Sequence, residues 1–195
     1  LLNIYDECVK AGNPDLPIIF TSTSKITFPG AGVAVEAASP NNVSLLKERM
    51  KYQTIGPDKL NQLRHARMFK TPADIERHMK RHADILRPKF ETVISELEKQ
   101  LDGTGIARWT NPRGGYFISL YVLDGCAKRV EQLCANAGMI LTPAGATYPY
   151  GVDPDDSNIR IAPSYPSVEE IEKASVVLCT AVKYAALEKL IAEKR

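Results

Sequence analysis

The sequence contains little that would commit it to a membrane, a metal or a polyanion. Twenty-five basic and 23 acidic residues leave a net charge of +2 over 195 residues, a balance that selects no particular charged partner. No apolar run approaches the roughly 20 residues of a membrane span. No secretory leader opens the chain, although a chain that begins at Leu1 instead of Met could have lost one. The four cysteines, Cys8, Cys126, Cys134 and Cys179, form no C-x-x-C pair. That spacing weighs against zinc and against thioredoxin-like chemistry, so no metal is expected. Reduced thiols in a cytoplasmic protein are the ordinary reading. Internal repeats and low-complexity segments are absent. One stretch is basic: eight lysines and arginines between Arg64 and Lys89 face only Asp74, Glu76 and Asp84. It lacks interleaved aromatics and any DNA-binding motif, so it reads as a solvated helix face, without a nucleic-acid partner.

The remaining pattern alternates short strands with helices. Residues 1–12 read as a helix ended by Gly12, and 17–21 and 32–38 as strands. Helices are expected over about 43–53 and 57–69. Thr71 can cap a long helix, with Pro72 at its first position and Asp74 in its electropositive first turn. Ile75, Met79, Leu86, Phe90, Val93, Leu97 and Leu101 form its apolar stripe, and Pro88 should kink it. Residues 115–122 alternate as a strand. Asp124 can cap a helix through Ala137, and 139–142 and 158–162 read as further strands. Ser167-Val168-Glu169-Glu170 is a capping box for a last helix, with Ile171, Ala174, Val177, Leu178, Ala181, Ala185 and Leu187 on its buried side. The class is α/β: the trailing edge of a larger domain, then a small α+β domain with a mainly antiparallel sheet.

The most informative residue is Lys25, in Ile18-Ile19-Phe20-Thr21-Ser22-Thr23-Ser24-Lys25, followed by Pro29-Gly30. An apolar, β-prone run ends in hydroxyls and a lysine. Apolar surroundings disfavour a charged ammonium, and a neutral lysine is a nucleophile toward carbonyls and a Schiff-base former. Hydroxyls beside it suit a phosphate. Ser22 and Ser24, two apart on an extended segment, should point the same way. The combination reads as a seat for pyridoxal phosphate. Ser22-x-x-Lys25 also matches the nucleophile motif of penicillin-binding proteins. That chemistry needs Lys-Thr-Gly, the nearest run is Lys70-Thr71-Pro72, and the serine should open a helix instead of ending a strand.

Ser-x-Ser-Lys followed by Pro-Gly resembles the cofactor-lysine segment of class I/II aminotransferases. Three more segments resemble that family in the family's order: Pro112-Arg113-Gly114-Gly115-Tyr116-Phe117, Gly138 to Gly145, and Ser157-Asn158-Ile159-Arg160-Ile161-Ala162-Pro163. The subgroup resembled is a divergent one, aspartate or alanine–glyoxylate aminotransferases. The resemblance implies the end of the large pyridoxal-phosphate-binding domain and its connecting helix over residues 1–60. The C-terminal small domain of a fold-type I enzyme would follow over 61–195. It further implies that Lys25 is catalytic and binds pyridoxal 5'-phosphate together with Ser22 and Ser24. The substrates would be an amino acid, aspartate or alanine among them, and a 2-oxo acid. The full-length enzyme would be a cytoplasmic homodimer, and this half alone would be inactive. In one place the sequence departs from the family. Where the family carries a phosphate-binding arginine seven residues after the lysine, this chain has Gly32.

Arg160 lies between Ile159 and Ile161 on a short strand, so it points opposite to that apolar pair and needs a partner there. Its planar fork matches a carboxylate. A structural salt bridge would satisfy it equally, and the resemblance implies the substrate α-carboxylate instead. Aminotransferase-like domains also serve as effector-binding modules of transcription regulators, the alternative to an enzyme.

Overall fold

The computed structural model of the chain describes residues 2–194. Packing divides them into two compact units, one ending at His82 and the other beginning at Ala83. The division falls inside a long helix, and the boundary at 60/61 expected from the sequence falls within the first unit. Each unit is described by itself.

The first unit is built on a two-stranded antiparallel hairpin, β1 (Ile18–Ser22) and β2 (Ala34–Ala38), with Phe20 opposite Glu36 and Ser22 opposite Ala34. Helix α1 (Ile4–Lys10) precedes it, and α2 (Pro40–Met50) and α3 (Lys59–Met68) follow. Ser39 starts α2 by accepting the Asn42 N–H at 3.3 Å, and Pro40 occupies the first turn, where a missing N–H costs nothing. Among the described residues of this unit no large apolar side chain is fully buried, and Phe20 on β1 is 70% exposed. Its buried side chains include two hydroxyls, Thr27 and Ser39.

Helix α4 (Pro72–Leu101) runs unbroken through Pro88. Its start inverts the expected cap. The Asp74 carboxylate accepts the N–H groups of Thr71 and Lys70 and the Thr71 hydroxyl, so the acid holds the turn that the threonine was expected to hold.

The second unit has a three-stranded antiparallel sheet in the order β3 (Ala107–Trp109), β4 (Ile118–Val122), β5 (Asn158–Ile161). Ile118 faces Ile161 and Leu120 faces Ile159 across the central pair. With Val122 they form one apolar face. It merges with Val93, Leu97 and Leu101 from the end of α4, Val130 from α5 (Ala127–Asn136), and Leu178 and Val182 from α6 (Val168–Glu193). The expected capping box of α6 is present: Ser167 accepts the Glu170 N–H while Glu170 accepts the Ser167 N–H.

Several expectations are corrected here. Residues 139–142 form no strand. They follow a helix end closed by Gly138, and the Met139 N–H is spent on the Cys134 carbonyl at 2.9 Å. The three residues of β3 escape notice because so short a run carries no periodicity. Leu187 on α6 is 58% exposed. Asp124 does not cap α5. The Lys128 N–H is taken at 3.2 Å by Asp156, and the Asp156 carbonyl accepts the Ala127 N–H at 2.8 Å.

The segment 153–157 that caps α5 also delivers the chain into β5. Within it Asp153 is buried, and its carboxylate accepts the N–H groups of Asp155, Ser157 and Asn158. Burial pushes its pKa up, but these three backbone donors outweigh burial and hold it below the ordinary 3.8. A carboxyl lowered in the folded state stabilises fully above the unfolded value of about 3.9. Its contribution is lost as pH falls through the lower folded value. Asp153→Asn should therefore lose stability most at pH 5–7, with the gap to the parent narrowing below about pH 4. Urea midpoints followed by circular dichroism across that range measure this, and a gap independent of pH would assign the effect to packing alone.

Candidate functional site

The chain places its candidate chemistry at two loci, one in each unit. In the first, β1 ends at Ser22 and the backbone turns back on itself. The N–H groups of Ile26 and Thr27 both reach the Thr23 carbonyl, at 2.9 and 2.8 Å, and the Thr23 N–H donates to the Val33 carbonyl at 2.9 Å. Lys25 stands inside this single turn. Phe28-Pro29-Gly30-Ala31 closes the next one, with the Ala31 N–H on the Phe28 carbonyl and Gly30 at φ 74°. That left-handed position suits glycine.

The expected convergence of the serines is present. The Ser22 and Ser24 hydroxyls lie 2.7 Å apart, and Ser22 Oγ also accepts the Ser24 N–H at 3.2 Å. The expected apolar surroundings of Lys25 are not. Lys25 is exposed, and Ile18 and Phe20 on the strand before it are open to solvent as well.

Gly32 explains its own departure from the family pattern. A Cβ built there would lie 2.7 Å from the Ser24 Cα and 2.8 Å from its N, and would also strike the Ser24 hydroxyl. The Gly32 carbonyl accepts from Asn61 of α3 at 3.2 Å. The backbone at 32 is thus pressed against the serine turn, and no side chain, arginine least of all, fits.

At the second locus Arg160 pairs across the sheet with Ser119, on the face opposite the apolar one. Its guanidinium carbon lies 4.6 Å from the centre of the Phe117 ring, and Nη2 is 3.4 Å from the Thr142 hydroxyl. Its Nε is buried and has no hydrogen-bond partner, and among the described residues no carboxylate pairs with it. Asn158, two residues earlier on the same face, is held at both ends of its amide. It donates to Ser119 Oγ at 2.7 Å and accepts from the Thr147 hydroxyl at 2.8 Å. The arginine is therefore stacked and oriented while part of its donor fork remains open. The structural salt bridge is not formed.

Sequence reasoning passed over four residues that shape these loci: Thr27, Asn61, His65 and Phe117. Asn61 and His65 lie outside any motif, and Thr27 falls at an unspecified position between Lys25 and Pro29-Gly30. Phe117 sits in the Pro112–Phe117 segment, but nothing in sequence marks it as the ring beneath Arg160.

Comparison with solved structures places this architecture among fold-type I aminotransferases, as their C-terminal part. An aspartate transaminase from Corynebacterium glutamicum superposes with a TM-score of 0.93 at 45% identity, covering 96% of this chain and 44% of that one. The α-aminoadipate aminotransferase LysN from Thermus thermophilus, solved as a complex with N-(5'-phosphopyridoxyl)-L-leucine, shares the fold at 21% identity. Its TM-score is 0.76, over 96% of this chain and 46% of that one. The aspartate amino-transferase family model matches residues 1–194, and the chain belongs to that family. A curated aspartate aminotransferase of Corynebacterium glutamicum is 47% identical over 178 residues, 91% of this chain. More distantly, an uncharacterized HTH-type transcriptional regulator of Bacillus subtilis is 24% identical over 162 residues. The chain spans less than half the length of the curated aminotransferases it matches.

Gly32→Ala should be costly although it adds a single methyl group. The close approach to backbone atoms of Ser24 leaves no flexible neighbour to yield, and such overpacking costs about 1–3 kcal/mol. Urea unfolding measures the loss. An alanine variant as stable as its parent would show that the loop relaxes freely around residue 32.

Proposed function

We propose that this chain supplies the cofactor lysine and the carboxylate-binding arginine of a pyridoxal-phosphate-dependent transaminase. The whole enzyme would pass an amino group between an amino acid, aspartate foremost, and a 2-oxo acid. The observation that carries this reading is Arg160. A guanidinium stacked on Phe117, with a buried Nε left unsatisfied and no acid beside it, is an anion receptor awaiting a ligand. Buried polar groups are otherwise almost always paired.

The residues of the first locus fit the cofactor. Ser22 and Ser24 offer two adjacent hydroxyls to phosphate oxygens, and the close approach of Gly32 fixes the Ser24 backbone beside them. Lys25 would hold the cofactor through its amine and, when that amine is free, would move the proton at the substrate Cα. When bound, the cofactor supplies the electron sink that makes this proton removable. Arg160 fixes the α-carboxylate that every amino-acid substrate shares, so the same grip serves donor and acceptor. The names of the Corynebacterium relatives support aspartate as donor. The four free cysteines support a reducing, cytoplasmic setting. An effector-binding module is the second reading, favoured only by the 24% relative, and turnover separates the two.

Two outcomes are expected of the whole enzyme. Borohydride reduction should bleach the bound cofactor and leave the adduct on Lys25; its recovery on another lysine would end that assignment. Arg160→Ala should lower kcat/KM for aspartate or alanine by about 10²–10⁴, because each charge-assisted hydrogen bond is worth about 1.5–3 kcal/mol. Arg160→Lys should fail as well, since a point charge lacks the planar fork. A matched amine without a carboxylate should lose little, and an equal loss for acid and amine would make Arg160 structural.

A further inference from the structure

We propose that Thr27 and His65 are positioning residues for Lys25, forming a clasp across the base of the turn that presents it. The proposal rests on the reading of Lys25 as the cofactor lysine. Its evidence is the placement of a polar cluster where a hydrophobic one would be ordinary. Thr27 is 3% exposed, in a unit that fully buries no large apolar side chain. A buried hydroxyl is destabilising unless it is hydrogen-bonded, and this one has three groups around it. His65 Nε2 lies at 2.8 Å, the Thr23 hydroxyl at 3.0 Å and the Thr23 carbonyl at 3.2 Å.

The orientation of the imidazole follows from its other nitrogen. His65 Nδ1 is 2.9 Å from the Asn61 carbonyl one helical turn earlier. A carbonyl only accepts, so Nδ1 carries the hydrogen, and in the neutral ring Nε2 is left to accept from Thr27. The Thr23 hydroxyl in turn accepts the Val33 N–H at 2.9 Å. Backbone of β2's approach, two threonines and a histidine of α3 are thereby linked in one continuous network.

Aromatic rings hold the imidazole in place. Phe28 meets it edge-on with centroids 5.0 Å apart, and Phe69 lies 6.2 Å away. His78, from the first turns of α4, packs on Phe69 at 5.3 Å and donates through Nε2 to the Thr27 carbonyl at 3.4 Å. Thr27 is thus held by both its side chain and its backbone.

The geometry gives these contacts a purpose. Thr23 and Thr27 flank Lys25 by two residues on either side, and the Thr27 N–H already closes on the Thr23 carbonyl. The hydroxyl bond between them and the imidazole beneath them fix both feet of a turn whose exposed apex is Lys25. An exposed lysine on a flexible stem is poorly placed for chemistry unless its Cα is held, and misplacement by about 1 Å can cost on the order of 10²-fold in rate.

The test compares Thr27→Val, which keeps the shape and removes the hydroxyl, with Thr27→Ser, which keeps the hydroxyl. His65→Phe keeps the ring against Phe28 and Phe69 and removes its nitrogens. In the whole holoenzyme, Thr27→Val and His65→Phe should each weaken cofactor retention about tenfold. Both should reduce the visible circular dichroism of the bound cofactor, and both should lower kcat with little change in KM. Thr27→Ser should stay within about twofold of wild type, and the double variant Thr27→Val/His65→Phe should be no worse than either single one. A folded Thr27→Val with wild-type retention and dichroism overturns the clasp, as does a serine variant worse than the valine one. If Thr27→Val fails to fold, wild-type behaviour of His65→Phe overturns it equally. Amide exchange over residues 23–27 of the cofactor-free protein is read separately, and should be faster in Thr27→Val than in Thr27→Ser. If wild type takes no cofactor at Lys25, the functional reading fails, while the exchange result still decides the clasp.

Discussion

The antiparallel pairing of β4 with β5 sends successive side chains to opposite faces, and the second unit depends on that constraint. Once Leu120 meets Ile159 and Ile118 meets Ile161 over the core, Ser119, Asn158 and Arg160 have only the other face to occupy. The apolar residues of β4 and β5 are thus the reason that a guanidinium stands ordered on the sheet. A slip of one residue would bury Arg160 against Leu97 and Leu178 and expose the isoleucines, a double cost that fixes the register. The buried Asp153 acts at the same point from the chain direction, collecting the N–H groups of Ser157 and Asn158 just as β5 begins. Register and entry point together leave Arg160 little freedom, and Phe117 and Thr142 take up what remains.

The first unit solves its positioning problem with different physics. Its strands are short and open, its apolar side chains are exposed or at most half-buried, and the turn bearing Lys25 gains little from hydrophobic burial. Directional bonds replace burial there. Thr23 and Thr27 spend their hydroxyls within the turn or on α3, which is the usual compensation where polar groups are withdrawn from water, while the exposed Ser22 and Ser24 hydroxyls meet each other. Such a network tolerates few substitutions, since each group lost leaves a partner unsatisfied.

How far the sequence could be read follows from these two regimes. The alternation over 115–122, the stripe along α4 and the capping box at 167–170 reflect apolar periodicity and local capping; the strand forms over Ile118–Val122, the stripe is buried from Val93 to Leu101 while Met79 is exposed, and the box is present. The polar orientation of Arg160 follows from period-2 geometry, whereas the serine pair beside Lys25 meets because Ser24 lies in the turn beyond β1 and its N–H folds back on the Ser22 hydroxyl. What escaped are long-range polar contacts. Nothing near Thr27 marks His65, 38 residues on, as its partner, and nothing near Lys128 marks Asp156 as the cap that Asp124 was expected to be. The exposure of Lys25 is not legible in the sequence because an apolar run before a lysine does not imply apolar surroundings when, as here, Ile18 and Phe20 are themselves open to solvent. Residues 139–142 were misread because a short apolar run after a helix stop does not distinguish a strand from a connector.

Gly32 and His65 meet in one residue of α3. Asn61 donates its side-chain amide to the Gly32 carbonyl, and its own carbonyl accepts from His65 Nδ1 one turn further along. One face of the helix therefore grips the loop after Lys25 at Gly32 and the foot of its turn at Thr27. The glycine at 32 allows a backbone approach to Ser24 that no side chain permits, and its carbonyl is held by Asn61. The consequence is specific: an arginine cannot be restored at 32 by substitution alone, because the contacts of Asn61 and Ser24 would have to be rebuilt with it.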